Sequence, residues 1–154
     1  MRNLTHFKRL TFCLLLTATM AVQAQTLQGK WTVEKVTIEK NTDGKMDSTV
    51  YPSVEAVKDY TTFPQVLDVK DAKTLLMRYA DATEEMEADY TLEDGVLRIT
   101  YNVLGFSYLY SLNADTLVLT SYPFVFVEKT QAGEKKMVTA KWIFTLKKVN
   151  NELS

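Results

Sequence analysis

Met86-Glu87-Ala88-Asp89-Tyr90-Thr91-Leu92-Glu93-Asp94-Gly95-Val96-Leu97-Arg98-Ile99-Thr100-Tyr101-Asn102-Val103 is the stretch whose reading decides the fold. Met86, Ala88, Tyr90 and Leu92 share one parity; Glu87, Asp89 and Thr91 share the other. Period-two alternation of this kind marks a half-buried strand. Asp-Gly favours a two-residue hairpin turn because both positions tolerate positive φ. With Asp94 and Gly95 as the loop, Glu93 pairs with Val96. Leu92 then faces Leu97, Tyr90 faces Ile99 and Ala88 faces Tyr101. Every apolar side chain falls on one side, so turn chemistry and burial require the same register. Arg98 lands on the wet side, diagonal to Asp89.

The same periodicity continues downstream. Tyr108, Tyr110 and Leu112 alternate, Asn113-Ala114-Asp115 turns the chain, and Leu117 and Leu119 resume the apolar face. Phe124 and Phe126 alternate after Pro123, which predicts a kink or an edge because proline lacks an amide donor. A polar loop at 130–135, with Gly133, leads to a long last strand. There Val138, Ala140, Trp142, Phe144 and Leu146 oppose Thr139, Lys141, Thr145 and Lys147.

Upstream, Val66–Val69 and Leu75–Tyr79 form another pair around Asp71-Ala72-Lys73. The first strand breaks its own rule: Trp31 and Val33 have one parity, Val36 and Ile38 the other. One extra residue near Glu34-Lys35, a β-bulge, restores a single apolar face and bends the strand. Residues 41–64 are the least strand-like part. Asn41-Thr42-Asp43-Gly44 reads as a turn, and Ser53 as the cap of a short helix through Tyr60, with Val54, Val57 and Tyr60 on one side. About eight short strands with meander connections make an all-β protein, an up-and-down antiparallel barrel of about eight strands. A β-sandwich is the alternative.

Residues 1–24 have the layout of a cleaved secretory signal: basic Arg2, Lys8 and Arg9, an apolar run from Leu10, and small residues at Val22-Gln23-Ala24. That run is too short to span ~30 Å of hydrocarbon, and Phe12 before Cys13 argues against lipidation. The expectation is a soluble exported domain over residues 25–154, periplasmic or secreted, without a stable membrane anchor. His6 and Cys13, the one histidine and the one cysteine, leave with the leader. Without imidazole or thiol, the usual general base, histidine zinc sites, cysteine nucleophiles and disulfides are excluded from the mature chain. Of 18 basic residues, 15 remain against 19 acidic, a net charge of −4. The basic residues are scattered, which argues against nucleic acid and anionic membranes.

With these residues placed, the chain resembles the lipocalin-like group of small exported bacterial domains. The resemblance is carried by Gly29-Lys30-Trp31 opening the first strand, by Tyr90–Leu97 in mid-chain and by Leu109–Leu119. It extends over nearly all of residues 27–149. It implies that Trp31 closes one end of a barrel under a basic side chain from near the last strand. Lys141, Lys147 and Lys148 are the candidates for that partner.

The candidate ligand contacts are the inward aromatics: Tyr79, Tyr90, Tyr101, Tyr108, Tyr110, Trp142 and Phe144. An eight-stranded barrel is either filled by side chains or holds one small ligand. Tyrosine hydroxyls inside it need partners, and a small apolar or amphipathic molecule is the expected occupant. Gly29, Trp31, Asp94 and Gly95 are expected to be structural. Glu84-Glu85, Glu87 and Asp89 read as a solvated strand face rather than a calcium loop, since alternate strand residues do not converge on one ion. No catalytic set, metal site or cofactor is expected, because every acid placed above lies on a wet face or in a turn. A periplasmic or surface interaction module with a packed barrel is the rival reading.

Overall fold

The computed structural model describes residues 27–57, 63–80, 82–130 and 132–149. Residues 1–24, read above as a secretory signal and holding His6 and Cys13, lie outside the described residues. The elements in chain order are β1 (Gly29–Thr42), β2 (Lys45–Tyr51), β3 (Val66–Val69), β4 (Thr74–Arg78), β5 (Met86–Glu93), β6 (Val96–Tyr101), β7 (Leu104–Asn113), β8 (Thr116–Ser121), β9 (Phe124–Lys129) and β10 (Lys135–Lys148).

The sheet order is β2-β1-β3-β4-β5-β6-β7-β8-β10-β9, and β1 also pairs with β10. That pairing closes an eight-stranded antiparallel barrel from β1, β3 to β8 and β10. The fold is all-β, the strands run up and down, and the sandwich alternative is set aside by the closure.

β5 and β6 pair as Glu93↔Val96, Leu92↔Leu97, Tyr90↔Ile99 and Asp89↔Thr100. Asp94 and Gly95 sit at φ 50° and 77°, the left-handed conformation that the turn requires. Tyr90, Leu97 and Ile99 are buried. Arg98 is exposed and reaches across to Glu93 at 3.1 Å, the diagonal nearer the turn, rather than to Asp89 on the other diagonal.

β1 carries the bulge: Val33 pairs with Leu146 and Lys35 with Thr145, leaving Glu34 extra. Trp31, Val33, Val36 and Ile38 are all buried as a result. The bulge lies where β1 leaves β3, at Thr32↔Val66, and takes up β2, at Val36↔Tyr51. β10 makes a matching exchange, from β8 at Ile143↔Thr120 to β9 at Ala140↔Phe124. Tyr122-Pro123 spans the break between β8 and β9. Beyond both exchange points, β2, β1, β10 and β9 continue as a four-stranded sheet projecting from the barrel. β2 and β9 are its edges.

Two expectations are corrected. Residues 45–51 are a strand, because the Asp43-Gly44 turn (φ 53° and 81°) folds the chain back on β1. From Ser53 to Val57 the chain makes a turn and no helix: Val57 N–H donates to Val54 O and Ala56 N–H to Ser53 Oγ. Ser53 does cap, and Val54 and Val57 are buried. Residues 58–60 lie outside the described residues.

The turns at 71–73, 94–95 and 114–115, with Leu27–Gly29 and Lys148, form one end of the barrel. Trp31 is fully buried there. Its ring N–H donates to Leu27 O at 2.8 Å, and Lys148 Nζ stands 5.5 Å from the ring centroid. Lys148 is thus the basic partner among the three candidates. The turn at 71–73 needs no glycine, because Asp71 Oδ1 accepts from the Lys73 and Thr74 amides at 2.8 Å each. Those bonds hold the Asp71 carboxyl below its ordinary pKa. No helix among the described residues is long and apolar enough to cross a membrane.

Candidate functional site

The opposite end of the barrel is where the interior approaches solvent. The projecting sheet rises from one side of this mouth. Phe63 comes from the stretch just before β3. It is buried, stacks on Phe144 with centroids 3.7 Å apart at 14°, and meets Tyr108 edge-on at 5.4 Å. Tyr108 and Phe144 are themselves perpendicular, at 6.1 Å and 89°.

The aromatic chain continues up β10 and across to β9. Trp142 lies 5.9 Å from Phe144 at 65° and 6.1 Å from Phe124 at 71°, and Phe124 lies 5.9 Å from Phe126. Strand alternation places Trp142 and Phe144 on the inner face, and Ala140↔Phe124 places Phe124 on that same face. Between these rings is a pocket of about 290 Å³ lined by Phe63, Tyr108, Ser121, Phe124, Trp142 and Phe144. This is close to the lower bound, ~300 Å³, of ordinary small-ligand sites.

The lining has little polarity. Ser121 Oγ accepts the Trp142 amide at 2.9 Å, which completes the ladder where β10 changes partners. That leaves the Ser121 hydroxyl proton to donate elsewhere, since a hydroxyl both accepts and donates. Burial, and then the neighbouring Tyr79 phenol, push the Tyr108 hydroxyl far above its ordinary pKa. Tyr108 therefore presents a neutral hydroxyl at any physiological pH. Tyr79 is raised for the same leading reason, with Tyr101 as its charged-state neighbour. The mouth thus offers aromatic faces and neutral hydroxyls.

Of the seven aromatics singled out from the sequence, the structure brings Tyr108, Trp142 and Phe144 to one pocket. Tyr79 and Tyr101 do not line the pocket; Tyr79 is a neighbour of Tyr108 and contributes to its raised value. Tyr90 and Tyr110 face inward but lie toward the closed end. The Tyr90 hydroxyl donates to Asp71 O at 2.6 Å, and the Tyr110 amide to Gly95 O. Tyr90 is thereby a structural residue of the barrel floor; its own hydroxyl is raised by burial and then by Asp71. Phe63, Phe124 and Ser121 are pocket residues that the sequence reading did not select. Phe124 carried a signal, its alternation with Phe126. Phe63 sits in a segment without periodicity and carried none.

Below the pocket the barrel is filled. Leu67, Leu75, Met77, Leu97, Ile99, Leu117, Leu119 and Leu146 are fully buried, and no charged or polar residue among those described is buried. A second depression, of about 290 Å³, lies on the outer wall among Glu87, Ala88, Asp89, Thr100 and Asn102. Among the described residues no group of three or more His, Cys, Asp or Glu side chains is arranged to hold a metal ion. The chain matches no protein-family model, no curated protein and no solved structure.

Proposed function

We propose that this protein is a non-catalytic exported barrel whose mouth binds one small apolar or amphipathic molecule. The observation that carries the reading is the aromatic pocket of Phe63, Tyr108, Phe124, Trp142 and Phe144, with Ser121 as its polar point. Aromatic walls bury large apolar area with little side-chain entropy to lose, and one or two hydroxyls orient the occupant. Among the described residues no acid is buried, so none has the desolvated setting that raises a carboxyl pKa, which supports a binding role over carboxylate-based hydrolysis. The export reading rests on the basic-then-apolar layout of residues 1–24. The lipocalin-like reading is supported by the Gly29-Lys30-Trp31 opening, by the closed barrel and by Lys148 over the Trp31 ring.

Trp142 is the built-in reporter, because Trp31 is sealed at the far end. A saturable change in tryptophan emission on titrating fatty acids, bile acids, haem or small aromatics is expected, and it should vanish in Trp142→Phe. No saturable response to any of these at micromolar concentration would end the reading. The rival, an interaction module with a packed barrel, draws on the buried apolar interior and on Phe63 stacked against Phe144. A stoichiometric protein partner recovered with a pocket that takes no ligand would favour it.

A further inference from the structure

Resting on the binding reading above, we infer that the aromatic pocket at the barrel mouth is a box for a quaternary ammonium group, a compact cation without N–H bonds. A flat aromatic ligand needs a slot, two parallel walls with room for a ring between them. The lining has one parallel pair, Phe63 and Phe144, and those rings are closed on each other at 3.7 Å and 14°. The other neighbouring pairs cross steeply. Tyr108 meets Phe63 at 89° and Phe144 at 89°, Trp142 meets Phe144 at 65°, and Phe124 meets Trp142 at 71°. Walls at these angles enclose a rounded space, which suits a ball of methyl groups better than a plate.

Five of the six described lining residues are aromatic, and none is charged. An aromatic ring is negative over its face, so a cation among rings is attracted without a carboxylate, and tryptophan is the best ring for this. The fold already seats two of its own ammonium groups on rings, Lys148 over Trp31 and Lys40 over Phe126. An anion meets the same faces as repulsion. Lys40 does not answer it, because Lys40 Nζ is bound to Glu128 at 3.1 Å and lies outside the lining. Residues 25–154 carry a net charge of −4, so the long-range field also favours a cation.

A primary ammonium brings three N–H donors, each of which needs an acceptor once water is stripped away. The described lining side chains hold two oxygens, the Tyr108 phenol and Ser121 Oγ, and Ser121 Oγ already accepts the Trp142 amide. A trimethylammonium group has no donor to satisfy, so this lining suits it and disfavours its unmethylated counterpart. Phe124 is 38% exposed, so the pocket opens beside it and the rest of such a molecule extends to solvent there.

The test is an NMR titration that follows the indole N–H signals, with Trp142 as reporter and the sealed Trp31 as control. Three probes are compared at matched ionic strength: choline, its neutral isostere 3,3-dimethylbutan-1-ol, and ethanolamine. Choline should shift the Trp142 signal saturably, with a dissociation constant at least ~fivefold below that of either other probe. Phe124→Leu keeps an apolar wall and removes one ring at a part-exposed position, so it should cut choline's advantage over the alcohol at least ~twofold. Co-sedimentation with phosphatidylcholine vesicles, and not with phosphatidylglycerol vesicles, would identify the ammonium as a lipid headgroup; choline binding without it would identify a free solute. An alcohol or an ethanolamine bound as tightly as choline, or an advantage untouched by Phe124→Leu, would each overturn the inference and leave the binding reading standing. Silence of Trp142 toward all three probes overturns it too, and the titrations with fatty acids, bile acids, haem and aromatics then decide the binding reading on their own.

Discussion

Lys148 lies directly opposite Trp31 across the β1–β10 seam and extends its ammonium to 5.5 Å from the indole centroid. The stem of that lysine passes over Gly29. A Cβ on Gly29 would stand 2.8 Å from Lys148 Cε, and Gly29 has φ 121°, where L side chains are strained. The glycine before the tryptophan is therefore the space through which the lysine reaches the ring. Gly29→Ala should destabilise by about 1–3 kcal/mol through backbone strain and crowding. Lys148→Ala should cost about 0.5–1 kcal/mol, the range of a part-exposed cation–π contact. In the double variant the crowding is gone, so the two losses should sum to less than their separate values, as read by urea denaturation.

Phe63→Ala should cost about 3–5 kcal/mol, because a buried aromatic stacked on Phe144 is replaced by a cavity. The same change enlarges the mouth pocket. Under the binding reading, Phe63→Ala should therefore admit larger aromatic ligands while lowering the thermal midpoint. Calorimetric titration paired with thermal melts separates the two effects.

Deleting Glu34 removes the bulge and leaves Val33 and Val36 on one side by strict alternation. The buried set is kept, and what disappears is the bend by which β1 passes from β3 to β2. The expected outcome is a folded barrel with unchanged far-ultraviolet circular dichroism and a loss of about 1–3 kcal/mol.

Alkaline stability should be limited by the inward phenols. Tyr108, Tyr79 and Tyr90 all have raised values in the folded state, with burial as the leading cause. The folded chain then holds protons that the unfolded chain releases above about pH 10, the free phenol value. Their contribution is fully present below that pH and is lost as pH rises toward the folded values. Tyr108→Phe should flatten this decline. Denaturation midpoints measured across the alkaline range, beside tyrosinate absorbance, provide the check.

How far the sequence was legible follows from what each signal encodes. Parity assigns a face, so the β5–β6 register, the Glu34 bulge and the inward set were readable. Parity does not assign height along the barrel axis, which depends on the stagger of all the strands together. Tyr90 and Tyr110 were therefore placed on the right face, while their position near the closed end could not be read. β2 escaped because Met46 and Val50 point outward, its inner residues Asp47 and Thr49 are polar, and Tyr51 alone gives its inner face an apolar body. Phe63 escaped because one aromatic in an aperiodic segment has no neighbours to give it a phase.

The seam that unites Trp31 with Lys148 joins the first strand of the domain to its last. Most rungs of the meander form between neighbours in the chain, but this one must bring together segments separated by nearly the whole domain, an entropic cost met late in folding. Under the export and binding readings proposed above, a chain crossing a membrane unfolded, amino end first, would keep a gaping barrel wall until β10 had emerged, and a molecule destined for the mouth would meet a finished rim only on the far side.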